Sequence, residues 1–307
     1  MAPGAMRFQV TASEVGPISL TSWQFDVPVI VGIIGSAAIY LWITSASERQ
    51  RYPGSAPVPA SQMASFFGGL FAFAIALLSP VEPLSDDYLL SGHMIQHILL
   101  TIVGPPLILL GIPAWLYRVI AAAVGPIWTA WRFVTRPLLA FILFNLTFAV
   151  VHFPAFYNLA LRDQNVHILE HVLLWSTAFV GWWPILAPDE DLGALPRPLK
   201  GLFLLGSTIP GQVVGALLTF SGSVVYSEYE RAPRLWGLSP LVDQQIGGLL
   251  MWVLVGTFFL AAALITFGRW ASSQTAADQA RTPRPSSSIS DEALDPSVDD
   301  RKHHNNR

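Results

Sequence analysis

Cysteine is absent from the 307 residues, which excludes disulfides, thiolate zinc sites, iron–sulfur clusters and thiol relays for copper together. Charge is scarce as well: 12% of the residues are Asp, Glu, Lys or Arg, about half the share that soluble globular domains carry. No basic excess exists, since 17 basic residues face 20 acidic ones, so nothing neutralises a phosphate backbone and nucleic acid is not an expected partner. Any metal must fall to His, Met, Asp or Glu. What the chain has in plenty is apolar: 52% of it is hydrophobic and the mean hydropathy is +0.50, which points to membrane lipid as the surroundings rather than water.

A spanning helix needs roughly 20 mostly apolar residues. Seven stretches meet that measure, at about 25–45, 61–80, 89–110, 138–154, 166–186, 199–220 and 247–267. The expected fold is therefore all-α, a polytopic membrane protein whose bundle of seven transmembrane helices occupies 25–270. An extracytoplasmic segment over 1–24 precedes it; its order of residues is not that of a cleavable signal, so the first span is expected to stay attached. A cytoplasmic tail over 271–307, rich in Ser, Pro, Asp, Gln and Arg, is expected to be disordered, and the adjacent His303 and His304 within it are read as incidental. In the third span, Gly104-Pro105-Pro106 cannot continue an unbroken ladder and predicts a kink. The apolar stretch over 114–131, broken by Arg118 and Gly125-Pro126, reads as an interfacial segment rather than an eighth span.

Cytoplasmic loops carry the positive excess, so alternate loops can be compared. Of the 17 basic residues, only Arg7, Arg162, Arg231 and Arg234 fall on one side; the other side holds Arg49, Arg51, Arg118, Arg132, Arg136, Arg197, Lys200 and the basic residues of the tail. This predicts an amino terminus outside and a carboxyl terminus in the cytoplasm. The five histidines outside the tail then all lie near the outer surface: His93 and His97 at the start of span three, His152 at the end of span four, His167 and His171 at the start of span five. Each pair has i, i+4 spacing, which puts its Cβ atoms about 5–6 Å apart on one helix face.

Ionisable groups inside spans are expensive unless they find partners, so this set points to metal or haem ligation, with hydrogen bonding between helices as the structural alternative. Imidazole suits copper, zinc, nickel and iron, whereas magnesium and calcium want oxygen cages; copper and zinc lead. Glu170 stands where it could fix an imidazole tautomer or simply face the membrane surface. Asp243, Gln244 and Gln245 precede span seven, where a helix cap competes with hydrogen bonding to the histidines, the latter slightly preferred. Glu82, Asp86 and Asp87 form an outer acidic loop that could attract a cation but reads first as solvated; Met94, whose thioether would favour Cu(I), and Met251 read as core, and Trp182 and Trp183 as an aromatic belt.

The string His93-Met94-Ile95-Gln96-His97, then Gly104-Pro105-Pro106 and Leu109-Leu110-Gly111-Ile112-Pro113, is followed by His152-Phe153-Pro154-Ala155-Phe156-Tyr157. The pair His167 and His171 comes next, then Trp182-Trp183-Pro184-Ile185, and Asp243-Gln244-Gln245-Ile246-Gly247-Gly248 leads into Met251-Trp252. In this order, over roughly 25–267, the chain resembles the CtaG family of cytochrome c oxidase assembly factors, the multi-span kind associated with caa-type oxidases. A single-span copper chaperone of the same name relies on cysteines and is excluded. The resemblance implies a multi-pass protein of the bacterial inner membrane, not an enzyme, that assists assembly of the haem–copper oxidase. It implies oxidase subunits as partners and copper held or supplied on the outer side.

On that reading His93, His97, His152, His167 and His171 form a copper site, zinc being the other candidate ion, with Glu170, Asp243 and Gln245 as hydrogen-bonding partners of the ligands. Two rivals from other classes stand beside it. A membrane-embedded zinc-dependent hydrolase would use Asp243 or Glu170 as base for a zinc-bound water. A haem-binding electron carrier would use imidazoles from two helices, although the cytoplasmic half of the spans holds no histidine for a second haem.

Overall fold

The structure is a computed structural model and describes residues 23–281; the expected amino-terminal segment up to residue 22 and the tail from 282, His303 and His304 included, lie outside the described residues. By contacts the chain divides into Met1–Phe267 and Gly268–Arg307, the second described only through the end of its last helix. Among the described residues there is no strand.

Helix α1 (Val27–Thr44) starts on Asp26, whose carboxylate accepts from the Val29 N–H at 3.0 Å, with Pro28 in the first turn. Next come α2 (Ala60–Leu78), the short α3 (Val81–Asp87) and α4, a single helix over Leu90–Gly111. Two short helices, α5 (Ala114–Val124) and α6 (Pro126–Val134), lead to α7 (Pro137–Val151) and α8 (Pro154–Arg162). They are followed by α9 (Gln164–Leu186), α10 (Arg197–Phe220) and α11 (Ser227–Arg231). The last, α12, runs as Pro240–Leu249, passes a π-helical turn over Leu250–Val255 and continues as Gly256–Arg281. Prolines open α6, α7, α8 and α12, where their missing N–H is one the helix would not have bonded.

Among the described residues five helices, α1, α2, α4, α10 and α12, are long and apolar enough to cross a membrane, and the number is six if α6 and α7, which meet at 72°, form one broken span. The expected seven is met to that extent. At 15 residues α7 is shorter than the roughly 20 a span needs, and α9, long enough at 23, opens with His167, Glu170 and His171. The stretch expected to be interfacial, 114–131, forms no span of its own: α5 and α6 hold 11 and 9 residues.

Of α4's apolar window 61% is buried against 6% of α1's, so α4 is central and α1 peripheral. α2 and α9 pack along the Gly104–Gly111 half of α4, and Pro240–Leu249 packs along its first half; α7 lies between α9 and α10. Close approach needs small residues: a Cβ on Gly215 would lie 2.8 Å from the Gly248 carbonyl oxygen, so glycine there is what lets α10 and α12 touch. Large apolar side chains such as Ile34, Leu138, Leu202 and Leu264 point outward, as lipid-facing positions do.

The double proline does not break α4. The ladder widens into a π-helical turn over Leu99–Val103, the Gly104 N–H reaching back to the Leu99 carbonyl. Pro105 has no N–H for the Thr101 carbonyl, and Trp182 supplies one from α9, its indole Nε1 donating at 2.8 Å. Trp182 and Trp183 are thus buried rather than belted at a membrane surface. Trp183 donates to the Leu192 carbonyl and meets the rings of Tyr117, Trp128 and Trp131 edge-on.

Candidate metal centre

The start of α4 is fixed by a residue distant in sequence. Leu90 N–H donates to one oxygen of Asp243 at 2.7 Å, while the Ser91 N–H and hydroxyl donate to the other at 3.2 and 2.5 Å. Asp243 therefore caps α4 from α12 and does not reach the histidines. Gln244 bonds Val225, Leu218 and Ser223, and the half-buried Gln245 makes no hydrogen bond to the cluster. The positioning expected of Asp243 and Gln245 is exerted on the helix that carries the ligands, by Asp243 alone.

From that anchored turn His93 and His97 point inward, their Nε2 atoms 2.7 Å apart. The His93 Nδ1 lies 3.1 Å from the Tyr229 hydroxyl, and that hydroxyl donates to the Ser85 carbonyl at 2.8 Å. The phenol's hydrogen being committed, it accepts from Nδ1–H, which leaves the lone pair of His93 on Nε2, facing the cluster. Burial pushes the Tyr229 and Tyr157 phenols well above their ordinary range, so both stay protonated. Below His93, Gln96 is locked by donation to the Ala76 carbonyl at 3.0 Å and by the Ser85 hydroxyl at 2.8 Å.

The other three histidines arrive from α7 and α9. His167 Nε2 is 3.4 Å from Asp86, and its ring centroid is 5.5 Å from that of His93; the centroids of His171 and His93 are 5.9 Å apart. His152, one residue beyond α7, brings its ring centroid to 5.5 Å from His97, and its Nδ1 donates to the Phe148 carbonyl at 2.8 Å, leaving Nε2 as its lone pair. All five histidines are buried. Two groups have ligand atoms within 4.8 Å of one another: His93, His167 and His171, and His93, His97 and Glu170.

Several of these atoms lack hydrogen-bond partners among the described residues: His97 Nδ1, His152 Nε2, His171 Nε2 and both oxygens of Glu170. Glu170 is fully buried, with His97 Nε2 at 3.8 Å as its nearest charge partner. A buried carboxylate without hydrogen bonds costs several kcal/mol, and a cation among these lone pairs would offset that cost. The donor set of neutral imidazoles with one carboxylate suits copper or zinc. Glu170 thus sits among the candidate ligands rather than behind them.

Tyr229, Ser85 and Gln96 complete the site without having been expected there, and Asp86 joins it in place of the solvated reading. Asp86 is buried against His167 rather than solvated in an acidic loop. A signal for it existed in the absence of any basic residue between α2 and α4; Tyr229, in a five-residue helix after α10, left none.

The family described as cytochrome c oxidase caa3 assembly factor matches residues 38–273. Proteins of uncharacterized function from Mycobacterium bovis and Mycobacterium tuberculosis are each 26% identical over 273 residues, covering 82% of this chain and 40% of their own length. One from Mycobacterium leprae is 26% identical over 269 residues with the same coverage. The chain thus spans well under half of the curated relatives it matches. No solved structure matches it.

Proposed function

The chain belongs to the cytochrome c oxidase caa3 assembly factor family, and from that premise we propose that it holds copper as cargo for maturation of the oxidase. The observation that carries the reading is the set of buried, inward-facing lone pairs on His93, His97, His152, His167, His171 and Glu170, several without a protein partner. His93 and His97 come from α4, His152 from α7, and His167, Glu170 and His171 from α9. Asp243, Gln96 and Tyr229 hold α4 and the His93 ring in place. More donors than one ion needs let a holding set and a releasing set share residues, as a site that must give up its metal requires. The ion would pass to subunits of the oxidase at the outer face of a bacterial inner membrane, with the histidine end of the bundle outside.

The hydrolase reading loses one of its two candidate bases, because the Asp243 carboxylate is occupied at the start of α4. Metal analysis of detergent-purified protein, beside a His93→Ala/His167→Ala variant after growth with copper and zinc, tests the proposal. Copper in the wild type that falls clearly in the variant is the expected result. Zinc alone would bring the hydrolase forward, and no metal in either sample would return the histidines to structural roles.

A further inference from the structure

His152 belongs to neither group of converging ligand atoms, although it is as buried as the rest. Its free Nε2 and the unpartnered Nδ1 of His97, on the opposite side of that ring from the nitrogen that meets His93, need another explanation. Both residues line one cavity between α4, α7, α9, α10 and α12, and the thioether side chains of Met94 and Met251 line it with them. The cavity has a volume of about 50 Å³, room for an ion and far too little for a haem.

The rest of the lining is uncharged and mostly apolar, with Ile98, Ile102, Phe144, Phe148, Leu174 and Phe259 among it and a few polar side chains between them. Asn145 donates to the Phe141 carbonyl, Gln212 to the Trp252 carbonyl and Thr101 to the His97 carbonyl. Their oxygen lone pairs are what remains for an occupant. No Asp, Glu, Lys or Arg lines the cavity. Solvation energy scales with the square of the charge, so a divalent ion here, with no counter-charge, would lose about four times what a monovalent one loses. Imidazole with thioether is also the donor pair that soft Cu(I) selects.

We propose that this cavity is a second metal position, specific for monovalent soft Cu(I), with His152 and His97 Nδ1 as nitrogen ligands and Met94 and Met251 as sulfur ligands. It rests on the reading that copper is this chain's cargo, and it assigns the ion two stations. One is carboxylate-bearing, at His93, His167, His171 and Glu170; the other is neutral, deeper in the bundle, and His97 stands between them. Met→Leu conserves volume and shape closely, so a Met94→Leu/Met251→Leu variant should fold.

The test uses the full chain in detergent with Ag(I), a redox-inert analogue of Cu(I), as probe. Equilibrium titration gives the number bound, and X-ray absorption of the loaded protein gives the ligand atoms. The expected result is a sulfur shell around silver in the wild type, lost in the variant together with one bound ion, while Zn(II) binding is unchanged. Equal Ag(I) stoichiometry in the two proteins with only nitrogen and oxygen around silver would overturn the second position and leave the copper reading intact. Wild-type protein that binds neither copper nor silver would overturn both.

Discussion

A single hydroxyl decides which nitrogen His93 offers. Tyr229 donates to Ser85 and accepts from His93, so the ring can present only Nε2 to the cluster. Tyr229→Phe keeps the ring and its packing while removing that acceptor, and the imidazole is then free to turn or change tautomer. We expect copper affinity to fall about 10–100-fold, the usual effect of removing a ligand's hydrogen-bond partner, with helical content unchanged; competition against a chelator of known affinity measures it. An unchanged affinity would mean that His93 is oriented by its neighbours in α4 alone. The histidines themselves were legible in the sequence because i, i+4 spacing fixes a face on any helix. Tyr229 was not, because 136 residues separate it from His93 and only the packing of the helices brings them together. Asp243 shows the same limit from the other direction: it was picked out as important, yet its partner Ser91 lies 152 positions away.

Helix existence was readable from apolar run length, with boundaries shifted by a few residues where prolines open α7, α8 and α12. How α4 survives two consecutive prolines was not, because the answer lies on another helix. The π-helical turn absorbs the missing donor locally, and Trp182 of α9 bonds the carbonyl that Pro105 leaves exposed. Trp182 also stacks on Phe259 of α12 with ring centroids 5.5 Å apart, so one indole ties three helices. In Trp182→Phe the stacking surface remains and the buried Thr101 carbonyl loses its partner. The expected cost is about 1–3 kcal/mol, the usual penalty for a buried acceptor left unsatisfied, read as a lower unfolding midpoint in detergent. Because Thr101 is one turn beyond His97 and lines the same cavity as His152, the same variant should weaken Ag(I) binding. Trp182→Ala, which adds loss of packing, should be worse on both measures. A Phe variant as stable as the wild type would show that the π-helical turn satisfies that carbonyl unaided.

At the scale of the whole molecule, charge and chemistry are separated between the two ends of the bundle. Arg49, Arg51, Arg118, Arg132, Arg136 and Arg197 lie on the connections at the end away from the histidines. The histidine end has Arg162, Arg231 and Arg234 among its described residues, and these are engaged. Arg162 and Arg231 both pair with the buried Glu228, and Arg234 donates to the Tyr229 carbonyl. An excess of Lys and Arg is what holds a loop in the cytoplasm, so the histidine end, with the fewer of them, is predicted to be extracytoplasmic. The lack of cysteine makes this directly measurable, since a single introduced thiol is the only one the chain then has. Glu230→Cys places it at the histidine end, and Gln50→Cys and Asp191→Cys place it at the other, all at exposed positions. A membrane-impermeant maleimide added to intact cells should label Cys at position 230 and reach positions 50 and 191 only after the membrane is opened. The reverse pattern would turn the ligands toward the cytoplasm and end the proposal of delivery to the outer face, whatever metal they bind. Labelling of positions 230 and 191 alike would mean that α10 does not cross, despite 24 residues of sufficient hydropathy. The expected outcome instead leaves His93, His97, His152, His167 and His171 just inside the outer surface, where an oxidase subunit can meet them.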